Sequence, residues 1–360
     1  MDMSTENFIP KYQRLKNYIK GLISNGEIKP GEKIPSQREL VEMFQIGRLT
    51  VRQAIRDLIY EGYLSSEQGA GTFVTTRKPA QGGRASKRVA LLFPEDSGQY
   101  PNPHFTTIIS GASAVAKKEE LATFFLSLKE GESLEDSGLL RTLDSQRVNG
   151  VITIGVIDTG VTDILLEKNI PFVATLNRPQ RRGAYYVGTD NIYGIHLAVS
   201  HLYKLGHRRI GMIAAGREPK WSYLAERLAG YRKVMRELNL EIPEEYVIDT
   251  WEERELLKYF SCADRPTAVV GGTDLAALQA LRVLNQLGII NEVAVIGYGG
   301  IELGAYAHPP LTTIEEQFRK VGSIAMQQLV ALMNGQTLVK STVLIKPKLL
   351  IRESCGSPLK

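Results

Sequence analysis

Cysteine is scarce in this sequence, and histidine is hardly more common. The two cysteines, Cys262 and Cys355, lie far apart, so they form neither a disulfide framework nor a Cys-x-x-Cys metal pair. The closest two histidines, His196 and His201, are five positions apart, which places them about 140° apart around a helix. We therefore expect no metal and no other cofactor, and the low cysteine content suits a reducing compartment.

Long apolar runs are also missing. No stretch reaches the roughly 18–20 apolar residues that a membrane-spanning helix needs. The first residues, MDMSTENFIPKYQ, lack the basic region and the apolar run of a signal peptide. From these absences we expect a cytoplasmic protein that makes no contact with a membrane.

The familiar catalytic motifs are incomplete. The stretch from Gly111 to Val115 lacks the closing glycine of a nucleophile elbow. Gly206 and Gly211 are spaced as in a phosphate-binding loop, but Met212 follows where that loop needs lysine and then serine or threonine. The prediction is a binding protein, and an enzyme with chemistry in a cleft is the more remote alternative.

Length and charge set broad limits. A chain of 360 residues has room for two or three domains with a proper core. Lysine and arginine number 44 against 39 acidic residues, which gives a net charge of +5. This basic excess is compatible with nucleic-acid binding, but many soluble proteins carry as much charge without such a partner.

Residues 1–76 show the pattern of a winged helix-turn-helix domain. Apolar spacing predicts three helices, over Tyr12–Asn25, Gln37–Phe44 and Arg48–Tyr60. Ser36 and Glu39 form the capping box expected at the start of the second helix. Residues 63–74, which contain a glycine-rich turn, predict a β-hairpin.

The third predicted helix has the side chains that a DNA-reading helix needs. Arg48 and Arg52 are four positions apart and share one face, separate from the apolar face that includes Val51. Arginine near the start of such a helix can bind guanine in the major groove or hold a phosphate. A solvated surface helix would carry the same charges, so the arginines alone do not decide between the two interpretations.

A longer set of matches favours DNA. The stretch resembles the DNA-binding domain of the GntR family of bacterial transcription regulators through four ordered motifs: Pro35-Ser36-x-Arg38-Glu39-Leu40, Arg48-x-Thr50-Val51-Arg52-x-Ala54-Ile55, Leu58-x-x-Glu61-Gly62 and Gly69-x-Gly71-Thr72-Phe73-Val74. The resemblance implies a double-stranded DNA partner. It also implies contact residues in two helices and in the wing, namely Ser36, Arg38, Arg48, Thr50, Arg52, Gln68 and Gly69.

The chain departs from this family pattern in the turn before the third helix. The family has Gly and then Val-Ser, where this sequence has Gln45, Ile46 and Gly47. Gly47 is an acceptable N-cap, but glutamine is uncomfortable where the backbone needs a positive φ. We expect a local loss of stability rather than a loss of DNA contacts, because no contact residue is replaced.

Residues 77–88 separate this domain from the rest of the chain. They are basic and contain proline and glycine without apolar periodicity, as a flexible linker does. From residue 89 to 355, short runs of apolar and β-branched residues, such as Val89–Phe93 and Gly150–Ile154, alternate with helical stretches. This alternation predicts an α/β domain of two doubly wound lobes, with ligands bound at the carboxyl ends of parallel strands.

This second region is similar to the effector-binding domain of the LacI/GalR family, which is related to periplasmic sugar-binding proteins. The matching motifs are Asn102-Pro103-His104-Phe105, Val187-Gly188-Thr189-Asp190-Asn191, Leu205-Gly206-His207-Arg208-Arg209-Ile210, Arg227-Leu228-Ala229-Gly230-Tyr231, Ile296-Gly297-Tyr298 and Pro310-Leu311-Thr312-Thr313-Ile314. A GntR-type head on a LacI-type body is the arrangement of bacterial arabinose repressors. The resemblance implies a homodimer with a small-molecule effector, and a carbohydrate is the first expectation.

Candidate effector residues lie in these motifs or just after predicted strands. Aromatic faces stack on the C–H surfaces of sugars, and planar polar groups bind paired hydroxyls. Trp221 and Trp251 each follow a predicted strand, and Arg227 stands where the family keeps an arginine for the ligand. The predicted set is His104, Phe105, Asn177, Trp221, Arg227, Trp251, Thr273, Asp274 and Tyr298.

A second departure from the family pattern concerns the acids of this site. After Tyr298 the family places an acidic pair that binds a ligand hydroxyl, whereas this sequence has Gly299-Gly300. The next acid is Glu302, one turn further on. Our hypothesis is therefore that the effector is a larger or differently charged sugar derivative.

The predicted function is that of a ligand-responsive transcription regulator. The resemblances favour a repressor that binds a palindromic operator as a dimer and is released by a sugar or sugar-derivative inducer. Two alternatives stay open at this point: a regulator that activates or needs a corepressor, and an effector that is nucleoside-like or otherwise not a sugar.

Overall fold

The structure, a computed structural model, describes residues 11–60, 62–67, 71–75, 87–95, 103–129, 138–156, 160–214 and 222–356. The chain divides into two compact units, Met1–Lys87 and Arg88–Lys360. Three predicted site residues, Gln68, Gly69 and Trp221, lie outside the described residues, as does most of the predicted linker. No helix within the described ranges is long and apolar enough to cross a membrane.

The N-terminal unit contains the three predicted helices and the hairpin. The helices are α1 (Lys11–Ser24), α2 (Gln37–Phe44) and α3 (Arg48–Tyr60), and the antiparallel strands are β1 (Leu64–Glu67) and β2 (Gly71–Val74). All five elements contribute to one buried cluster, in which Leu15, Leu40, Val51, Leu64 and Val74 are members. The predicted winged helix-turn-helix is confirmed.

The helix turn has the geometry that the sequence predicts. The Ser36 hydroxyl accepts a hydrogen bond from the Glu39 N–H at 3.3 Å, and the Glu39 carboxylate accepts one from the Ser36 N–H at 2.6 Å. Gln45 ends α2 in the left-handed region, with φ 50° and ψ 50°. Both the capping box and the positive φ at Gln45 are therefore confirmed.

The wing is held by the loop between α1 and α2. Gly31 and Val74 are joined by a 2.7 Å backbone hydrogen bond, and Ile34 donates to the Thr72 carbonyl at 3.0 Å. These bonds extend the two-stranded wing by a short third segment. The position of the wing strands thus depends on residues well before the third helix.

The second unit contains two parallel sheets. The first lobe has the strand order β13-β7-β6-β5-β3-β4, with β3 (Arg88–Pro94), β4 (Ala122–Leu128), β5 (Gly150–Ile154), β6 (Phe172–Thr175), β7 (Tyr185–Thr189) and β13 (Thr342–Ile345). The second lobe has the order β14-β12-β11-β10-β8-β9, with β8 (Ile210–Ile213), β9 (Val247–Ile248), β10 (Ala268–Gly271), β11 (Ala294–Gly299), β12 (Thr312–Glu315) and β14 (Lys348–Leu350). Only β14 runs antiparallel to its neighbour in these two sheets.

Helices cover both faces of each sheet. In the first lobe, α4 (Pro103–Lys118) and α11 (Phe318–Met333) lie on one face, and α5 (Leu139–Ser145) and α6 (Val161–Glu167) on the other. In the second lobe, α7 (Asn191–Lys204) and α8 (Ser222–Glu237) lie opposite α9 (Glu253–Ser261) and α10 (Asp274–Gln286). The predicted two-lobed, doubly wound fold is confirmed.

The chain crosses between the lobes after β7, after β12 and after β13. Hydrogen bonds tie the crossings to each other. The Thr189 hydroxyl donates to the Glu316 carbonyl at 3.2 Å, the Asp190 N–H donates to the Ile345 carbonyl at 3.0 Å, and Gln317 bonds the Lys346 carbonyl. Three short, mutually bonded connections thus form the hinge between the two lobes.

Candidate functional site

The outer face of α3 is exposed and basic. Arg48, Arg52 and Arg56 are exposed, whereas Val51 and Leu58 on the opposite face are fully buried. Among the residues that the structure describes, none of the three arginines forms an ion pair. Their guanidinium groups are available for phosphate oxygens or for the edge of guanine.

The other predicted DNA contacts that the structure describes are Ser36, which caps α2, Arg38 in α2 and Thr50 in α3. The Ser36 hydroxyl caps α2 as an acceptor and keeps its own O–H as a donor. Arg38 makes an exposed pair with Glu42 one turn on, at 3.2 Å, which is weak enough to exchange for a phosphate. Thr50 is half-buried. The roles of these residues on DNA stay predictions.

The second site lies where the carboxyl ends of the strands of the two lobes face each other. His104 follows β3 at the start of α4, and its ring centroid lies 4.4 Å from that of Phe318. A β-carbon at Gly299, at the end of β11 in the other lobe, would lie 2.7 Å from Cε1 of His104. The imidazole of one lobe therefore packs directly against the bare backbone of the other.

Arg227 is the centre of a buried polar cluster. Its side chain is 1% exposed, and its nitrogens donate to Oδ1 of Asn191 at 3.0 Å, to the Gly272 carbonyl at 2.8 Å and to Oε1 of Glu316 at 2.6 Å. The guanidinium carbon lies 3.7 Å from the ring centroid of Tyr298. A second ring, that of Tyr223, is 4.8 Å away. The arginine is thus held between two aromatic faces and three acceptors.

Thr273 and Asp274 begin α10 at the end of β10. The Thr273 hydroxyl accepts from the Ala276 N–H at 3.2 Å, which makes it the N-cap. Asp274 is buried, accepts from the Ile301 N–H at 2.7 Å and also binds the Thr313 hydroxyl. In this conformation the Asp274 carboxylate organises the Gly300–Ile301 turn, and its predicted contact with a ligand stays a prediction.

The remaining predicted residues are distributed around this centre. Asn177 donates to the Val156 carbonyl at 3.1 Å and accepts from the Ser222 N–H at 2.9 Å, so it links the first lobe to the start of α8. Phe105 packs on Phe93, with ring centroids 6.4 Å apart. Trp251 is half-buried beside the core of the second lobe. His104, Arg227, Asp274 and Tyr298 form one neighbourhood, to which Asn177 is connected through Arg178, Glu226 and Asn191.

Burial governs the protonation of this neighbourhood. Burial, reinforced by the charge of Arg227, lowers the pKa of His104 to about 3, so the imidazole is neutral at physiological pH. Burial raises the pKa of the Glu316 carboxyl, and the adjacent Arg227 opposes this shift. The cluster thus contains a neutral imidazole and a paired carboxylate within a largely dry environment.

Sequence reasoning did not identify Glu316 or Glu226 as members of this cluster. Glu316 follows β12, which is one of four strands, with β7, β13 and β14, that the apolar runs did not predict. Its signal was present, because an acid directly after a buried strand marks the edge where ligands bind. Glu226 precedes Arg227 and bonds Asn191 at 2.8 Å, a contact that spacing alone could not reveal.

Comparison with known proteins covers both units. Residues 11–74 match the bacterial regulatory proteins of the gntR family, and residues 199–355 match the periplasmic binding protein-like domain. The chain is 27% identical to the arabinose metabolism transcriptional repressor of Geobacillus stearothermophilus, over 97% of this chain and 98% of that protein. It is 30% identical to the HTH-type transcriptional regulator CelR of Thermobifida fusca, over 85% and 89%. The solved complex of transcriptional regulator CelR with cellobiose aligns at a TM-score of 0.66 and 27% identity, over 86% of this chain and 92% of that one.

Proposed function

The chain belongs to the family of bacterial transcription regulators that join a GntR-type DNA-binding domain to a LacI-type effector domain, and it is a repressor rather than an enzyme; we propose that it binds a palindromic operator as a dimer and is released when a sugar binds between the lobes. A DNA-binding regulator works where the DNA is, so we also propose a cytoplasmic location. The observation that carries the DNA half of this proposal is the exposed basic face of α3.

In this proposal Arg48 and Arg52 contact the DNA bases. Both lie near the start of α3, where a recognition helix contacts base edges, and a guanidinium can bind guanine through two hydrogen bonds. Ser36 and Arg38 are suited to phosphates, which position the domain without reading sequence. Gln68 and Gly69 are proposed as wing contacts on the resemblance alone.

The effector half of the proposal depends on the cluster around Arg227. The regulator CelR, which is similar over most of this chain, has been solved with cellobiose, and a second relative is named for arabinose metabolism. A guanidinium between aromatic faces, with polar groups at strand ends, suits a polyhydroxylated ligand. The hinge allows the ligand to change the angle between the lobes, and operator affinity can fall only by as much as the ligand prefers the released state.

The experiment that tests the DNA half compares Arg52→Ala and Arg52→Lys with the unchanged protein. The probe is a DNA duplex selected from a random library by the unchanged full-length chain, and binding is followed by fluorescence anisotropy. We expect Arg52→Ala to lose about 10- to 100-fold in affinity for the selected duplex and much less for a scrambled one. Arg52→Lys should restore the affinity for the scrambled duplex but not the affinity for the selected duplex, because lysine keeps the charge and cannot form the bidentate contact with guanine.

Arg236→Ala is the matched control, since Arg236 is exposed on α8 of the second unit. It should bind both duplexes as the unchanged protein does. An equal loss on both duplexes for Arg52→Ala, or a loss no larger than that of the control, would show that α3 does not read sequence. Addition of neutral sugars to the complex then tests release, and a complex that no sugar dissociates contradicts the inducer proposal.

A further inference from the structure

One carboxylate oxygen of Glu316 lacks a close hydrogen-bond donor. The side chain is 2% exposed, and Oε1 accepts from Nη2 of Arg227 at 2.6 Å. The other oxygen, Oε2, is buried and accepts no hydrogen bond within 3.5 Å from a described residue, although the Thr189 hydroxyl, which donates to the Glu316 carbonyl at 3.2 Å, lies close enough to lower the pKa of this carboxyl. A buried carboxylate oxygen without a donor is costly, and such atoms in native proteins call for an explanation such as a ligand.

The position of Glu316 places this oxygen in the effector neighbourhood. The residue lies at the crossing between β12 and α11, where the chain passes from the second lobe to the first. Its partner Arg227 packs on Tyr298 and interacts electrostatically with His104, and Glu316 interacts in the same way with Asp274. Three predicted effector residues, Tyr298, His104 and Asp274, therefore interact with the Arg227–Glu316 pair.

The end of β11 offers no side chain to a ligand, because residues 299 and 300 are both glycine. Gly299 has φ +140° and Gly300 has φ +75°, both in a region that side chains rarely adopt. A β-carbon at Gly299 would also meet His104 at 2.7 Å, and one at Gly300 would meet the Glu315 backbone at 2.9 Å. An acid that binds a ligand hydroxyl beside His104 would therefore come from another element.

We propose that Glu316 is this acid: it is an effector-binding residue whose Oε2 accepts a hydrogen bond from a hydroxyl of an uncharged sugar. The proposal rests on the proposed function and names the group that would recognise the ligand. Arg227 is the positioning residue, because its charge-assisted bond to Oε1 holds the carboxylate in place.

The buried pair favours a ligand that binds beside it over a ligand that displaces Glu316 from Arg227. A ligand that displaced Glu316 from Arg227 would leave an uncompensated buried charge, whereas a hydroxyl that bonds Oε2 leaves the pair intact. The same geometry disfavours an anionic effector. A phosphate or carboxylate at this point would lie beside the carboxylates of Glu316 and Asp274, with Arg227 already engaged by three acceptors.

The test titrates the full-length chain with matched neutral and anionic sugars. The panel contains L-arabinose, D-glucose and cellobiose together with arabinose 5-phosphate, glucose 6-phosphate and glucuronic acid, and binding is measured by calorimetry. We expect a neutral sugar to bind best in the unchanged protein and its anionic form to bind at least about 10-fold more weakly. Glu316→Gln should weaken the neutral sugar by about 10- to 100-fold and reduce the discrimination against the anion.

Glu253→Gln is the control, because Glu253 makes an ion pair of similar length with Arg282, 2.7 Å, on the surface of the second lobe. It should titrate as the unchanged protein does. The comparison of neutral and anionic sugars needs no variant, so it stands even where Glu316→Gln fails to fold.

The outcomes separate this inference from the proposed function. If a sugar phosphate binds best and also releases operator DNA, the regulator proposal holds and the role of Glu316 is refuted. If a neutral sugar binds best but Glu316→Gln binds it as tightly as the unchanged protein does, the role of Glu316 is refuted and the regulator proposal still holds. If no sugar of either kind binds or releases DNA, both proposals are wrong.

Discussion

Replacement of Arg227 by methionine would test how much of the second unit depends on its buried cluster. Methionine keeps the aliphatic part of the side chain between Tyr223 and Tyr298 and removes the charge. The Glu316 carboxylate then loses its cation, and the acceptors at Asn191 and Gly272 lose their donors. The variant therefore isolates the polar contribution from the packing contribution.

The expected cost follows from the burial of both partners. Arg227 and Glu316 are 1% and 2% exposed, so solvent cannot take over the interaction when one is removed. Breaking a buried pair in this way costs about 3–5 kcal/mol. The double variant Arg227→Met/Glu316→Leu should cost clearly less than Arg227→Met alone, because it leaves no uncompensated charge.

Urea denaturation followed by tryptophan fluorescence would measure this cost. Both tryptophans of the chain, Trp221 and Trp251, belong to the second unit, so the signal reports its unfolding and not that of the DNA-binding unit. A loss below about 1 kcal/mol for Arg227→Met would refute the reasoning, since it would mean that the pair is solvated or absent in solution. A double variant less stable than the single one would refute it as well.

Two other predictions concern single positions. Gln45→Gly should stabilise the N-terminal unit by about 1 kcal/mol, because glycine adopts the observed φ of 50° without a β-carbon penalty. This gain would appear as slower hydrogen exchange of the α2 and α3 amides in the full-length chain. His104 is neutral in the folded protein, where its pKa is about 3, against about 6.5 in the unfolded chain. The free energy of unfolding is therefore not reduced by His104 above pH 6.5, and it falls by about 1.4 kcal/mol per pH unit as the pH drops from about 6.5 towards about 3. A urea titration at several pH values should show this slope and a flatter one for His104→Gln. If the unchanged protein and His104→Gln show the same pH dependence, the acid sensitivity belongs to other groups. If hydrogen exchange in Gln45→Gly is unchanged, the turn is not strained.

Local signals predicted much of the fold. The capping box of Ser36 and Glu39 and the apolar face of Val51 and Leu58 are interactions between residues a few positions apart, and they appear in the structure as expected. Buried parallel strands such as Gly150–Ile154 carry continuous apolar runs that are visible without any alignment. The strand Tyr185–Thr189 was not predicted, because its glycine and its threonine interrupt the apolar run.

The candidate effector site was predicted only in part. Arg227, Tyr298, Asp274 and His104 were named from motif position or from their place after a strand, and the structure brings them together. Their surroundings were not predictable: the bond between Arg227 and Glu316 joins residues 89 positions apart, and the contact between His104 and Gly299 joins the two lobes.

By itself, the sequence determined the order of elements, the winged head, the two-lobed body and the exposed arginines, because periodicity and capping act over short distances along the chain. Only the tertiary structure decided which polar groups share a dry space. Burial and charge pairing depend on atoms that the fold brings together, and here they place the Glu316 carboxylate against Arg227, with both side chains almost fully buried.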